Sequence, residues 1–324
     1  MTRVRFFLAA GSVVAGYDQY AWSLPVVCAP MNRKVKSSMS NLRVASLTCL
    51  AMLAFAGNSL LCRAALNHTR IDAASFTAIR LISGALMLGA VVRLRSNPAP
   101  GGGNWLSALA LFAYAAGFSF AYVSLPAATG ALLLFGAVQV TMISHGLWRG
   151  ERLRAVQVGG FVLACAGLVG LLLPGVTAPP LIGSALMVMA GVAWGIYSLR
   201  GKGAGDPTRV TSGNFLRCVV FAGVLSVAML PHLSLDPTGI WLAVGSGALA
   251  SGVGYAIWYT ALPALRATTA ATVQPCVPVL AAAGGVALLG EPVTLRLVAA
   301  SAAVLGGVAL VILQGQRARA SQHD

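Results

Sequence analysis

One membrane-length apolar run contains residues that could contact a solute. The stretch TVQPCVPVLAAAGGVALLGE begins at Thr272 and carries Gln274, Pro275 and Pro278 within five residues. Each proline removes a backbone hydrogen bond and clashes with the preceding turn, and in lipid the freed carbonyls need partners in protein or in a wet cavity. With Thr268 nearby, this broken turn predicts a bent helix that lines a solute pathway. The alternative is a packing kink in which Gln274 bonds to a neighbouring helix.

Three arginines lie within apolar runs, where a charge is costly: Arg63, Arg80 and Arg217. Arg80 and Arg217 come seven or eight residues after their runs begin, which is about 10–12 Å along a helix. An arginine at this depth must be paired or must extend to the membrane surface. One hypothesis is attraction of solute carboxylates or gating, and the other is a tie to helix-end carbonyls. The two arginines enter the membrane from opposite sides, so they need not meet at one solute. Because both copies have the arginine regardless of direction, we expect a structural or gating role.

The dipeptide Gly-Glu opens the last apolar run of each half of the chain, at Glu151 and Glu291. A carboxylate at a helix start interacts favourably with the helix dipole, and the preceding glycine suits a tight turn. We expect helix caps at these positions, and the alternative is a proton site.

Aromatic and amide side chains in other apolar runs could line a cavity between helices. Each one could instead tie helices together or sit in an interfacial belt. As a set they suit a small amphipathic metabolite, and they are Trp194, Tyr197, Tyr255, Trp258, Tyr259, Asn58, Gln139 and Asn214.

Several kinds of chemistry lack the residues they need. All seven acids lie at the ends of apolar runs or between them, so proton coupling through a buried carboxylate is unsupported. The six cysteines show no CxxC spacing, and neither a metal-binding motif nor a P-loop is present. We therefore predict no catalytic residues, no metal and no cofactor. An intramembrane enzyme would need a metal motif, a Ser/Lys dyad or paired carboxylates in its spans.

The composition indicates the elements that must position these residues. Of 324 residues, 58% are apolar and 9% are charged, and apolar runs of about 20 residues recur along the chain. Each run is long enough to cross a ~30 Å hydrocarbon core. We predict an all-α integral membrane protein with ten transmembrane helices. They span about 44–66, 73–94, 104–124, 127–148, 155–174, 181–200, 210–230, 238–262, 266–289 and 294–313.

The positive charges predict the orientation of these spans. With the N-terminus inside, the inner segments after residue 30 hold fifteen Lys and Arg residues, whereas the outer connections hold only Arg70 and Arg296. Cytoplasmic loops carry this excess, so we expect both termini in the cytoplasm. The +15 net charge therefore indicates membrane topology rather than a nucleic-acid partner. The nineteen-to-three excess of Arg over Lys is typical of a GC-rich bacterial genome.

The two halves of the chain resemble each other. AIRLISGAL at 78–86 matches FLRCVVFAG at 215–223, and AYVSLPA at 121–127 matches WYTALPA at 258–264, both 137 residues apart. The Gly-Glu segments that start at 150 and 290 match 140 residues apart. Each copy has five spans, so the copies are inverted relative to each other in the membrane. Inverted repeats of this kind are typical of transporters that work by alternating access.

These features resemble the EamA-type transporters of the drug/metabolite transporter superfamily. The resemblance rests on two five-span copies, each with an Arg early in its second span and Gly-Glu before its fifth. It covers about residues 42–314 and does not specify a substrate. We predict a poorly ordered segment 1–41 with an uncertain start residue, a first repeat 42–175, a second repeat 176–314 and a cytoplasmic tail 315–324.

Together, these observations predict a transmembrane transporter of small metabolites. We expect an exporter of amino acids or related amphipathic solutes in the bacterial inner membrane, with the lipid bilayer and a small-molecule substrate as its partners. Because one chain holds both inverted copies, we expect it to act as a monomer. The alternatives are an exporter of drugs or other toxic compounds and a membrane protein that does not transport.

Overall fold

The structure is a computed structural model that describes residues 40–95, 101–150, 153–175, 178–201, 204–265 and 273–320, with side chains as far as residue 314. This part of the chain is all helical. Its main helices are α1 (Asn41–His68), α2 (Ala73–Leu94), α3 (Trp105–Tyr122), α4 (Ala127–Trp148), α5 (Ala155–Leu172), α6 (Leu181–Arg200), α7 (Pro207–Ala228), α8 (joining Pro237–Val244, Gly245–Val253 and Gly254–Ala261), α9 (Cys276–Leu289) and α10 (Leu295–Ala320).

Nine helices in the described ranges are long and apolar enough to cross a membrane, with mean hydropathies of 1.4 to 2.2. The tenth, α9, is apolar but has only 14 residues. The predicted all-α architecture of ten helices is therefore confirmed. The ninth span was predicted over residues 266–289. Val273 is helical, Gln274 and Pro275 form a turn, and α9 follows from Cys276. Residues 266–272 lie outside the described part.

The few acidic residues are used at helix starts. Asp72, Asp206 and Asp236 each accept a hydrogen bond from the backbone of the helix that follows, at 2.9 Å. Such caps satisfy amide groups that have no partner within the helix. Asp72 also accepts from the backbone of Ser234, which joins the two repeats. Partial burial raises the pKa of Asp72, but hydrogen bonds led by that of the Ser75 side chain outweigh it, so this pKa lies below its usual value.

The packing of the helices has an approximate twofold symmetry in which one repeat exchanges with the other. Helix α2 packs on α7, its counterpart in the second repeat, and α5 packs on its counterpart α10. Exchanging the two repeats therefore leaves both pairs unchanged. Helix α6 packs on α3 and α4, and correspondingly α1 packs on α8 and α9. The first helix of each repeat is therefore enclosed by helices of the other repeat.

Side-chain contacts between helix ends show that the repeats are inverted. Arg63, near the end of α1, meets Glu291, which precedes α10, and this side of the molecule is called the Glu291 end. Arg200, which ends α6, bonds Ser107 near the start of α3, and this side is called the Arg200 end. Helix α1 thus runs toward the Glu291 end, whereas α6, its counterpart in the second repeat, runs toward the Arg200 end.

The middle of α8 is a wider π-helical segment, Gly245–Val253, which lets α8 approach α2 closely. A Cβ atom at Gly247 would overlap the carbonyl oxygen of Arg80. Next to it, the hydroxyl of Ser246 donates to Asn58 Oδ1 at 2.6 Å, within the core. Short π-helical segments occur frequently at functional sites, and this one adjoins the backbone of Arg80 and bonds the side chain of Asn58.

Candidate functional site

A cavity lies between the two repeats and has about 1170 Å³ of empty space, including the part that is open to solvent. Seven of the residues predicted to contact a solute line it: Asn58, Trp194, Tyr197, Tyr255, Trp258, Tyr259 and Gln274. The sequence pattern therefore selected residues from α1, α6, α8 and the turn before α9 that meet at one place.

The cavity reaches the Arg200 end of the bundle. Ser198 and Gly201 line it where α6 ends, and Pro207 lines it where α7 begins. Two arginines at this end bond neutral partners. Arg200 Nε donates to the Ser107 hydroxyl at 3.2 Å, and Arg95 Nη1 donates to the Thr208 hydroxyl at 2.8 Å.

Aromatic rings form one wall of the cavity. The rings of Trp194 and Tyr255 are stacked, with 5.6 Å between centroids and 16° between planes. Tyr114 lies 4.7 Å from Trp194, and Tyr259 lies 6.3 Å from Tyr255. Aromatic faces attract cations and also accept apolar groups. This wall therefore suits a small solute with a positive or an apolar portion.

A hydrogen-bonded group of polar side chains lies deeper in the molecule. Asn58 Nδ2 donates to the Tyr114 hydroxyl at 3.4 Å, and Asn58 Oδ1 accepts from Ser246 and, at 3.4 Å, from Arg80 Nη2. Arg80 is 2% exposed, and its guanidinium carbon lies 5.0 Å from the centroid of the Phe118 ring. Because Asn58, Tyr114 and Phe118 all line the cavity, Arg80 lies directly behind its wall.

Arg217, the counterpart of Arg80 in the second repeat, has different surroundings. It is half-buried, and its Nη1 donates to the carbonyls of Gly102 at 2.6 Å and Gly213 at 2.8 Å. These are the contacts of a structural tie to helix-end carbonyls, one of the two hypotheses for this residue. The two arginines match in sequence, but only Arg80 lies against the cavity.

An ion pair joins the two repeats at the Glu291 end. Arg63 Nε lies 2.9 Å from Glu291 Oε1, and the two side chains are only 12% and 11% exposed. Arg63 also donates to the carbonyls of Tyr122 and Val123, where α3 ends. Glu291 Oε2 accepts from the backbone nitrogen of Ala127 at 2.7 Å. These bonds join the ends of α1 and α3 to the start of α4 and to the connection before α10.

The expectation that Glu291 caps its own helix is wrong. The backbone nitrogen that it binds is the first of α4, whereas α10 is capped by the Thr294 hydroxyl, which accepts from Leu297 at 3.2 Å. The chain still uses the favourable interaction of a carboxylate with a helix start, but on a helix of the other repeat. Gly290 before it has a φ of +64°, which allows the tight turn. Glu151, the matching acid, lies outside the described residues.

The turn at Gln274 and Pro275 interrupts regular helix where the sequence predicted a break. Gln274 lines the cavity, and its carbonyl accepts from the Val277 nitrogen at 3.0 Å. Pro275 is the residue immediately before α9, and Pro278 lies in the first turn of α9. A proline in the first turn sacrifices no helical hydrogen bond, so Pro278 starts a helix rather than kinking one.

The remaining predicted residues have other positions. Asn214 is buried behind the cavity, where its Oδ1 accepts from the Asn104 nitrogen at 2.9 Å and its Nδ2 donates to the Tyr197 hydroxyl at 3.4 Å. Gln139 is buried in α4 and is not among the residues that line the cavity. Thr268 and Thr272 lie outside the described residues.

Helix α3 forms a wall of the cavity that was not predicted from the sequence. Tyr114 and Phe118 are four residues apart and face the cavity together, and Tyr122 follows four residues later with its ring 4.7 Å from Phe118. This i, i+4 aromatic spacing is a detectable signal. The partner of Glu291, Arg63, was also missed. Among the described residues, no group of three His, Cys, Asp or Glu side chains is placed to hold a metal ion.

The chain is similar to several known proteins. The EamA-like transporter family matches residues 42–173 and 181–313. The uncharacterized protein PA1977 of Pseudomonas aeruginosa is 60% identical over 275 residues, which cover 85% of this chain and 96% of that protein. A solved crystal structure of a protein aligns with a TM-score of 0.59 at 20% identity, over 86% of this chain and 100% of that one, and it shares the fold.

More distant relatives are named threonine/homoserine exporter RhtA. The Escherichia coli K12 protein is 31% identical over 180 residues, which cover 53% of this chain and 60% of that exporter. The Salmonella typhimurium LT2 protein is 34% identical over 149 residues, which cover 44% of this chain and 49% of that exporter. The matches thus span less than two thirds of these exporters' length. Since both of its repeats match the family, the chain is a multi-pass membrane protein that belongs to the EamA-like transporter family.

Proposed function

We propose that this protein exports amino acids or closely related amphipathic solutes across the bacterial inner membrane by alternating access. The observation that supports this most is the cavity between the inverted repeats, which reaches the Arg200 end while an ion pair joins the helices at the Glu291 end. A binding cavity closed on one side is one of the two states that alternating access requires.

The proposed orientation follows from the positive charges. Cytoplasmic connections carry an excess of Lys and Arg, and this rule places the Arg200 end in the cytoplasm. The arginines at that end include Arg95, Arg149, Arg154, Arg200 and Arg209, whereas the connections between helices at the opposite end hold Arg70 and Arg296. In this orientation the cavity takes solute from the cytoplasm, and breaking the Arg63–Glu291 pair opens a path to the outside.

The substrate class is supported by the lining of the cavity and by the names of relatives. Stacked aromatic rings, an amide and hydroxyl groups suit a small solute with both polar and apolar portions. Two relatives are named threonine/homoserine exporters, so threonine and homoserine are the first solutes to test. The second repeat inverts the first within one chain, so a monomer contains the whole cavity, and we propose that it acts as a monomer.

Export of cationic drugs is the second candidate, and the aromatic wall is the feature that favours it. Transporters of such drugs usually pair the cation with a buried carboxylate. Every acid in the described residues instead binds the backbone at a helix start, outside the cavity. The lining therefore favours solutes that carry a negative group of their own.

Purified protein in liposomes tests the proposal. We expect vesicles that contain it to exchange labelled threonine or homoserine faster than empty vesicles. We also expect bacteria that express the chain to enrich their growth medium in an amino acid relative to cells with empty vector. Uptake of a cationic dye by the vesicles without amino-acid exchange would favour the second candidate instead.

A further inference from the structure

Resting on the proposed transport function, we propose that Arg80 is the binding site for the carboxylate group of the transported solute. The arginine is 2% exposed and carries a full positive charge in the membrane region. Within the described ranges its Nη1 has no hydrogen-bond partner and no acid pairs with it. A carboxylate presents two oxygens that match the two forward N–H groups of a guanidinium.

A buried charge without a counter-ion is costly. The charge of Arg80, unpaired among the described residues, therefore indicates that an anion binds there. Removing one member of a buried charge pair leaves the other uncompensated, and proteins rarely tolerate this. The contacts of Arg80 with Phe118 and Tyr114 are cation–π contacts at 5.0 and 5.8 Å, which compensate the charge only partly. The missing counter-ion is therefore supplied by something that enters the cavity.

The local hydrogen bonds permit this exchange. Asn58 holds Arg80 Nη2 and the Tyr114 hydroxyl at 3.4 Å each, which is long for hydrogen bonds. A carboxylate offers shorter charge-assisted bonds to the same donors, so these contacts can be replaced at little cost. Tyr114 also touches Trp194, and the rest of the solute would then lie along the aromatic wall.

Arg217 occupies the position in the second repeat that matches Arg80, and its contacts are those of a purely structural arginine. Its Nη1 binds two backbone carbonyls, and it stacks over the exposed ring of Trp105 at 5.8 Å. Nothing about it requires a further anion. Arg217→Gln is therefore the matched control for Arg80→Gln.

The test compares acids with their amides, which have the same shape but no negative charge. Purified full-length protein in detergent is heated with threonine or threonine amide, and with homoserine or its amide. We expect the acids to raise the melting temperature and the amides to have little effect. Arg80→Gln should weaken binding of the acids by about 30-fold or more. Arg217→Gln should keep the preference for acids.

A second variant separates binding from folding. Asn58→Asp is close to isosteric and places a carboxylate beside Arg80, where the amide oxygen now lies 3.4 Å from Nη2. We expect this variant to melt at a higher temperature without ligand and to lose the preference for acids. If Arg80 were only structural, Asn58→Asp could raise the melting temperature, but it would not also lose binding of the acids. If Arg80→Gln fails to fold, Asn58→Asp still decides the question.

The outcomes distinguish the two proposals when the same pairs are used for liposome exchange. Exchange of acids and amides at equal rates would overturn the role of Arg80 while transport stands. An unchanged preference for acids in Arg80→Gln or Asn58→Asp would also overturn it. No binding or exchange of either form would overturn amino-acid export and the inference with it. If exchange is selective for acids, and only Arg80→Gln and Asn58→Asp lose this selectivity, both amino-acid export and the role of Arg80 are supported.

Discussion

Glu291 and Arg63 connect the two repeats through a largely buried ion pair, with 2.9 Å between Arg63 Nε and Glu291 Oε1. The same carboxylate accepts the first backbone N–H of α4, and the same arginine donates to the carbonyls that end α3. The arginines at the opposite end, Arg95 and Arg200, bind hydroxyl and amide groups instead. The bonds of Arg63 thus include an ion pair, whereas these bonds of Arg95 and Arg200 are to neutral groups.

Removing the charge of Glu291 should loosen the Glu291 end. Glu291→Gln keeps an acceptor for Ala127 but loses the ion pair, and hydrogen bonds to charged groups contribute about 1.5–3 kcal/mol. We expect a single cysteine at Ser59, which lines the cavity, to react with an impermeant maleimide from outside about tenfold faster or more. The measurement uses intact cells and a chain whose native cysteines are replaced.

Arg296→Gln is the control for that experiment. Arg296 lies at the same end and donates to the Leu173 carbonyl at 2.6 Å, between α5 and α10. Its loss should leave the labelling rate unchanged. Equal labelling in wild-type protein and Glu291→Gln would show that the ion pair does not restrict access.

The aromatic wall should contribute to solute affinity. Trp194→Leu removes the ring stacked on Tyr255, and a cation–π contact contributes roughly 0.5–2 kcal/mol. We expect the concentration for half-maximal exchange to rise about five- to tenfold. Trp241→Leu, at a residue of α8 that is 75% exposed, should have no effect. Equal losses in both variants would mean that the effect is on folding.

Gln274→Leu should abolish exchange without preventing membrane insertion, because Gln274 provides an amide at the cavity. Gln139→Leu makes the same change at a buried amide of α4 that is absent from the lining, and it should retain exchange. Flux per inserted molecule, measured in liposomes for both variants, gives the comparison. Normal flux in Gln274→Leu would remove this side chain from the pathway.

The fold was predictable because membrane spans leave strong signals. Long apolar runs predict helices through the bilayer thickness alone, and the matching of Arg80 with Arg217 indicated the inverted repeat. Gln274 and Pro275 lie within an otherwise continuous apolar run, and the proline indicated the break that the structure shows there. The apolar character of a run indicates only that it is soluble in lipid, and by itself it does not show where a helix is interrupted.

The site was only partly predictable for a different reason. Tyr255 and Trp194 could be proposed from residue type and spacing within single helices. The partners of Glu291 come from α1 and α4, far away in sequence, and no local pattern reports such long-range contacts. The different surroundings of Arg80 and Arg217 likewise arise from packing, because the two positions match in sequence.

Labelling should place the two Gly-Glu connections on opposite sides of the membrane. Arg149→Cys and Pro292→Cys are at exposed positions of matching segments in the two repeats. In intact cells, we expect an impermeant maleimide to modify the cysteine at 292 and to reach the one at 149 only after lysis. Modification of both in intact cells would contradict the proposed topology.

The close approach of α8 to α2 should tolerate no added side chain. In Gly247→Ala, the new methyl group would overlap the carbonyl of Arg80, and overpacking typically costs about 1–3 kcal/mol. We expect a lower melting temperature and weaker solute binding together, because Arg80 must move. Gly89→Ala, on α2 with open space around it, is the control and should melt like the wild type.

The first helix of each repeat packs against helices of the other repeat. This packing also determines when the helix bundle can assemble during synthesis. Helices α3 and α4 leave the ribosome before α6, the helix on which both pack, has been made. Helix α1 waits longer still, because its neighbours α8 and α9 are among the last to be made. A chain stopped after α5 would thus have inserted helices without the neighbours that enclose them, so assembly of the first half depends on translation of the second.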